Sequence, residues 1–118
     1  MFRGPFYYFK DKYMELIDSD LIVYDDEYYV YILRCCDDTL YVGMTNDLKH
    51  RLKMHNSGKG SKYTMIRIPV EYVYIESGYS RGDAMRREFK LKHAGRAKKL
   101  QLIADPEKNE IEKFKDMF

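Results

Sequence analysis

The sequence predicts a single mixed α+β domain whose elements follow the order β-β-α-β-α-α. Three observations carry that reading. At 118 residues the chain is long enough for one compact domain and too short for two ordinary ones. Two aromatic and β-branched runs are separated by Asp37-Asp38 and read as a β-hairpin. Downstream, apolar spacing switches to a helical period on either side of a third extended run.

The hairpin comes from residues 28–35 and 39–44. The first run, Tyr28 onward, is dense in residues that favour a pleated, half-buried surface. Thr45 or Asn46 can cap a helix from about Asp47 to His55. Residues 56–61, Asn-Ser-Gly-Lys-Gly-Ser, read as a flexible basic loop, and after Pro69 a third strand spans 70–75. Ser80 and Asp83 have capping-box spacing, with Asp in place of Glu. Ala84, Met85, Glu88, Phe89 and Lys92 then follow as one helical face, which makes Met85 and Phe89 part of an inward stripe. Gly95 breaks this helix, another covers 96–103, and Pro106 precedes a charged helix over 107–118. Before the hairpin, residues 7–17 fit a short helix loosely and 21–24 read as extended. These boundaries divide the chain into an N-terminal extension (1–27), a central domain (28–103) and a C-terminal tail (104–118).

Composition excludes some classes. Hydrophobic residues make up 45% and charged residues 34%, an ordinary globular balance rather than a disordered one. No apolar run reaches the length of a membrane span, and residues 1–10 lack the order of a secretory signal, so the expectation is a cytoplasmic protein without membrane contact. Cys35 and Cys36 are adjacent and point to opposite strand faces, which argues against a disulfide between them, and no spacing suits a zinc site. The net charge of +2 hides an asymmetry: residues 28–103 hold 15 Lys+Arg against 7 Asp+Glu, while both ends are acidic. A basic middle suggests a nucleic-acid surface, although such residues also serve simply to solvate helix faces.

Hydrolysing a phosphodiester requires an oriented water, a divalent cation and a further positive group at the phosphate. Candidates for each part occur in the hairpin and the two helices after it. Tyr31 and Tyr41 lie on the two hairpin strands. A two-residue turn would pair Cys36 with Thr39 and put these tyrosines on opposite faces. A three-residue loop would pair Cys35 with Thr39 and put them on the same face, so the catalytic reading requires the odd loop or a bulge. Strand tyrosines taken alone are packing residues more often than catalysts. Arg51 and His55, four apart on a helix, share a face; Arg51 can grip phosphate oxygens and His55 can orient water or relay a proton. Glu88 sits on the expected inward stripe, where a carboxylate is costly unless it binds metal or is paired with Arg87, Lys92 or Arg51. Residues 57–64 bring backbone amides, Lys59, Lys62 and hydroxyls together in a way that suits a phosphate backbone, without the spacing of a P-loop.

Together these residues resemble the GIY-YIG nuclease superfamily. Val30-Tyr31-Ile32 stands where the first motif belongs and Tyr41-Val42-Gly43 where the second does. Asn46-Asp47-Leu48, Arg51, His55-Asn56, the Gly58–Thr64 run and Ala84-Met85-Arg86-Arg87-Glu88 continue the pattern, with Lys98-Lys99-Leu100 trailing. The sequence is most similar to small stand-alone bacterial members, and its GKGSKYT loop is similar to the catalytic domain of structure-selective junction nucleases. The resemblance implies a three-stranded antiparallel sheet flanked by helices. It further implies Tyr31 as general base or water-orienting group, Tyr41 as organiser of phosphate and nucleophile, and Arg51 as the essential arginine. His55 supports proton transfer, and Glu88 is the sole metal-binding residue, for Mg2+ or Mn2+. Val30 replaces the first glycine of the motif and Val42 its central isoleucine, and neither change removes a reactive group.

The expected substrate is DNA, with RNA a further candidate, contacted through Lys49, Lys53, Lys59, Lys62, Tyr63 and Arg67. The alternative expectation is a nucleic-acid-binding module with little or no catalytic activity, or a small interaction protein. No small-molecule cofactor is expected, and the terminal extensions are candidate surfaces for a protein partner or a homodimer.

Overall fold

The structure, a computed structural model, describes residues 27–118, so the expectations for a helix at 7–17 and an extended segment at 21–24 lie outside the described residues. The chain runs β1 (Tyr28–Arg34), β2 (Leu40–Thr45), α1 (Leu48–Asn56), α2 (Lys62–Met65), β3 (Glu71–Tyr79), α3 (Arg81–Lys92), α4 (Arg96–Ile103) and α5 (Ile111–Phe114), followed by a 3-10 turn, Lys115–Met117. The sheet is three-stranded in the order β2-β1-β3, with β1 antiparallel to both neighbours. This is the mixed α+β architecture and element order that the sequence predicts.

β1 is buried on both faces because it is the central strand. Tyr29, Tyr31, Leu33 and Cys35 pack on one face with Leu48, Val70, Tyr72 and Ile75. Val30 and Ile32 pack on the other with Val42, Tyr74, Ala84, Leu91 and Leu102. The hairpin decides where the two tyrosines go. Cys35 N donates to Thr39 O at 2.9 Å, and Asp38, with φ of 68°, completes a three-residue loop of Cys36, Asp37 and Asp38. The ladder then pairs Tyr31 with Gly43 and Leu33 with Tyr41. Alternation leaves both tyrosines on one face, which is the odd-loop outcome.

Several boundaries differ from expectation. The cap of α1 is Asp47, whose carboxylate accepts from His50 N at 3.0 Å; Thr45 instead receives Asp47 N on its hydroxyl. The expected basic loop gives way after Gly60 to a short helix, α2, because Ser61 caps it by accepting from Thr64 N. β3 continues to Tyr79 rather than ending at Ile75. The C-terminal helix begins only at Ile111. Asn109 holds the chain before it against the sheet edge, its amide donating to Val73 O and Ile103 O and its carbonyl accepting from Ile75 N and Ile111 N.

The inward stripe of α3 is also corrected. Ala84 and Leu91 are buried, whereas Met85 is 53% and Phe89 64% exposed. The helix is turned so that Ala84, Glu88 and Leu91, spaced at i, i+4 and i+7, face the sheet. A buried polar clamp fixes that rotation. Arg87 donates to both carboxylate oxygens of Glu76, at 2.8 and 2.7 Å, and Tyr74 and Tyr79 donate to the same carboxylate. Arg87 and Glu88 therefore point to opposite flanks of α3, and the pairing of Glu88 with Arg87 drops out.

Candidate active site

Four side chains, Tyr31, Tyr41, Arg51 and His55, gather on the face of the sheet that carries Tyr31, while α3, which bears Glu88, packs its Ala84 and Leu91 on the opposite face. Tyr31 comes from the middle of β1 and is fully buried. Its ring can lie across the hairpin because its ladder partner is Gly43; a Cβ there would occupy the space of the phenol group. α1 follows β2 directly and presents Arg51 and His55 one turn apart. Arg51 Nε donates to Tyr31 Oη at 3.3 Å, and Arg51 Nη2 donates to Gly60 O at 3.0 Å. His55, also fully buried, has Nε2 2.9 Å from Tyr31 Oη and Nδ1 2.8 Å from Thr64 Oγ1. Gly60 passes so close to this imidazole that a Cβ would overlap it. Thr64 Oγ1 lies 2.9 Å from Ser61 Oγ, which extends the chain of polar hydrogens from Arg51 through Tyr31, His55 and Thr64 to Ser61.

Two tautomers satisfy that chain. In one, Tyr31 donates to His55 Nε2 and Nδ1–H donates to Thr64. In the other, Thr64 donates to Nδ1 and Nε2–H donates to Tyr31, which frees the phenol proton.

Tyr41, half-buried on β2, stands at the mouth of this cluster. Its ring meets His55 edge-on at 5.4 Å, stacks on Tyr63 at 5.9 Å, and has Lys92 Nζ 5.8 Å from its centroid. Tyr41 thus stands between α2 and α3. Glu88 reaches the cluster from α3. Its carboxylate is 22% exposed, lies 3.6 Å from Lys92 Nζ, and is near enough to raise the Tyr31 pKa.

The electrostatics follow from burial. Desolvation drives the Tyr31 pKa up to about 12, against the partial relief of the Arg51 hydrogen bond and charge. Tyr31 is therefore a phenol at neutral pH. Desolvation, and then the charge of Arg51, lower the His55 pKa to about 4, so its imidazole is neutral. Tyr72 packs edge-on against Tyr31 at 5.1 Å and donates to Leu48 O at 2.8 Å; burial raises its pKa as well.

Glu88 is the candidate ligand for magnesium or manganese. Among the described residues no three His, Cys, Asp or Glu side chains cluster as a metal cage. A single half-buried carboxylate, here paired with Lys92, would suit a hard cation that keeps most of its waters and takes phosphate oxygens, and would not suit zinc.

The structure brings together Tyr31, Tyr41, Arg51 and His55, and places Glu88 near them on α3, paired with Lys92 rather than with any of the four. Of the residues expected to contact nucleic acid, Lys49, Lys53, Lys59 and Lys62 are exposed along α1 and the segment after it, and Tyr63 is exposed beside Tyr41. Arg67 is engaged otherwise. It donates to Asp37 at 3.1 Å and to Tyr63 O at 2.7 Å, and its guanidinium lies 3.8 Å over the Tyr63 ring, so it holds Tyr63 in place. Sequence reasoning missed the roles of Thr64 and Gly60 in the cluster, while the pairing of Glu88 with Lys92, one of the three partners it offered, is the one formed. The Ser61-x-x-Thr64 spacing was a signal of an ordered cap rather than a mobile loop.

Comparison with known proteins identifies what the chain is similar to. Residues 27–101 match the family model described as the GIY-YIG catalytic domain. A UPF0213 protein of Oceanobacillus iheyensis is 49% identical over 79 residues, spanning 67% of this chain and 92% of the relative. One of Natronomonas pharaonis is 47% identical over 79 residues, spanning 67% and 93%. The solution structure of the UPF0213 protein of Bacillus halodurans aligns with a TM-score of 0.44 at 44% identity, covering 70% of this chain and 92% of that one. Among the described residues no helix is long and apolar enough to cross a membrane.

Proposed function

This chain belongs to the GIY-YIG nuclease-domain family, and from that premise we propose that it is a metal-dependent endonuclease hydrolysing DNA phosphodiester bonds. The observation that carries the reading is the convergence of two phenols, a guanidinium and a neutral imidazole on one face of the sheet, with the Glu88 carboxylate approaching from α3. Arg51 engages the scissile phosphate; in doing so it moves off Tyr31 and opens the phenol oxygen to water. Tyr31 takes a proton from the attacking water as it gives its own to His55 Nε2. The same phosphate offsets the Arg51 charge that depresses His55, so the imidazole becomes a better proton acceptor when substrate is bound. Tyr41 orients the phosphate from the opposite strand. Glu88 would hold Mg2+ or Mn2+, which would supply charge neutralisation at the phosphate. Lys49, Lys53, Lys59 and Lys62 contact the neighbouring backbone, a contribution that weakens with salt. Activity would be loosely sequence-dependent, since these contacts carry no base information.

The second reading is a nucleic-acid-binding module with little activity. It is favoured by one observation, the complete burial of Tyr31 and His55. A nicking assay on supercoiled plasmid with added magnesium or manganese separates the two. The first reading expects metal-dependent nicking that Glu88→Gln reduces at least 100-fold with DNA binding retained, in the range of losing a transition-state charge stabiliser. Undiminished nicking by Glu88→Gln removes Glu88 from the mechanism. Salt-dependent binding without any nicking by the natural sequence selects the second reading.

A further inference from the structure

The face of α3 beside Glu88 is apolar and open. Glu88 and Lys92 lie toward the pocket, and the next stripe outward on the same flank carries Met85 and Phe89. With exposures of 53% and 64%, these two form no part of the core. The Phe89 ring has that of His93 4.2 Å away, tilted by 37°, and His93 Nδ1 is bonded to Phe89 O at 2.8 Å, so His93 lies over one face of Phe89 and holds that ring on the helix. The surroundings are cationic. From residue 81 to 99 there are eight Lys+Arg against two Asp+Glu, and among the described residues no ion pair engages Arg81 or Lys90.

An aromatic ridge rimmed by cations and adjoining a phosphate-directed pocket is complementary to a nucleotide: rings for the base, charge for the backbone. A base inside a duplex offers only its edges, because its faces are covered by its neighbours. A base that has left the stack offers a face. We infer that Phe89, with Met85 and His93, is a stacking platform for an unpaired base of the strand being cut. The substrate class is therefore DNA whose nucleotide next to the scissile phosphate is out of the duplex, at a bulge, a mismatch or a frayed end. This deepens the nuclease reading and rests on it.

The test is a binding measurement on the full chain carrying Glu88→Gln, with chelator present so that nothing is cut. One DNA hairpin carries a single bulged 2-aminopurine; its control has the same nucleotide paired. The platform quenches the bulged probe and binds the bulged hairpin more tightly than the paired one. Adding Phe89→Ala restores the fluorescence and lowers the affinity for the bulged hairpin about tenfold, within the range for one stacked base, while leaving the paired one unchanged. Phe89→Trp recovers both effects. Equal affinity for the two hairpins, or equal loss on both, overturns the platform and leaves the nuclease reading standing; failure to bind either DNA overturns both. Sedimentation gives the remaining outcome: a dimer that Phe89→Ala dissociates, with DNA preference unchanged, makes the ridge a self-association surface and overturns the inference.

Discussion

Substituting glutamine for His55 asks whether that ring is held neutral by its surroundings. Glutamine keeps a donor and an acceptor near the same place but does not titrate. In the natural protein, burial and then Arg51 push the His55 pKa from 6.5 down to about 4. The unfolded chain therefore binds a proton that the native state refuses. The stability contributed by the neutral ring is complete above the unfolded value of 6.5 and is lost as pH falls from there through about 4. At about 1.36 kcal/mol per pKa unit, the loss relative to neutral pH reaches about 2 kcal/mol near pH 5 and about 3 kcal/mol near pH 4.

Urea unfolding followed by circular dichroism, at neutral pH and near pH 5, measures this directly. Every other ionisable group is common to the two proteins, so the difference between them isolates the buried ring. The natural protein should lose about 2 kcal/mol more than His55→Gln over that interval. Removing the second cause with Arg51→Ala should shrink the excess. Parallel losses in the natural protein and His55→Gln would refute the argument, because they would mean that the native state protonates His55 as readily as the unfolded chain does.

Two further expectations concern the scaffold. Gly43→Ala places a Cβ in the space of the Tyr31 phenol; it should cost about 1–3 kcal/mol in thermal unfolding and slow cleavage beyond what that loss explains. An unchanged melting temperature with an unchanged rate would show that Tyr31 does not need that approach. Glu76→Ala leaves Arg87 without its carboxylate and removes the acceptor of Tyr74 and Tyr79. Breaking a mostly buried pair from one side should cost about 3–5 kcal/mol by urea unfolding, and a loss below about 1 kcal/mol would refute the clamp.

How far the sequence could be read depended on whether a residue's neighbours were local. The hairpin faces were legible as a condition: if Tyr31 and Tyr41 were to meet one pocket, the loop had to be odd. Cys36, Asp37 and Asp38 meet that condition through the left-handed Asp38, a conformation that aspartate tolerates better than most residues. The pairing of Arg51 with His55 was legible from helical spacing alone. The rotation of α3 was not. Apolar residues at 85 and 89 looked like a core stripe, and the clamp that turns them outward joins Arg87 to Glu76 on another element. Pattern reading assigns apolar residues to the interior, so an exposed functional pair is the case it gets wrong. Thr64 was hidden for the opposite reason: a Gly-, Ser- and Lys-rich composition reads as mobile, while Ser61 caps a helical turn that carries Thr64 inward to His55.

That turn also explains why the site is assembled around so short a segment. Gly60 offers its carbonyl to Arg51, Ser61 and Thr64 complete the hydrogen-bond chain of His55, and Tyr63 stacks on Tyr41. Three of the four clustered side chains, Arg51, His55 and Tyr41, thus depend on residues 60–64 for their orientation. Arg67 holds the far end of that segment to Asp37 in the hairpin loop, so the loop that sets the strand register also anchors the segment that orients the helix residues. Arg51, bonded to Gly60 O and to Tyr31 Oη, ties the two together: any movement of its guanidinium changes both the end of that segment and the cover of the phenol.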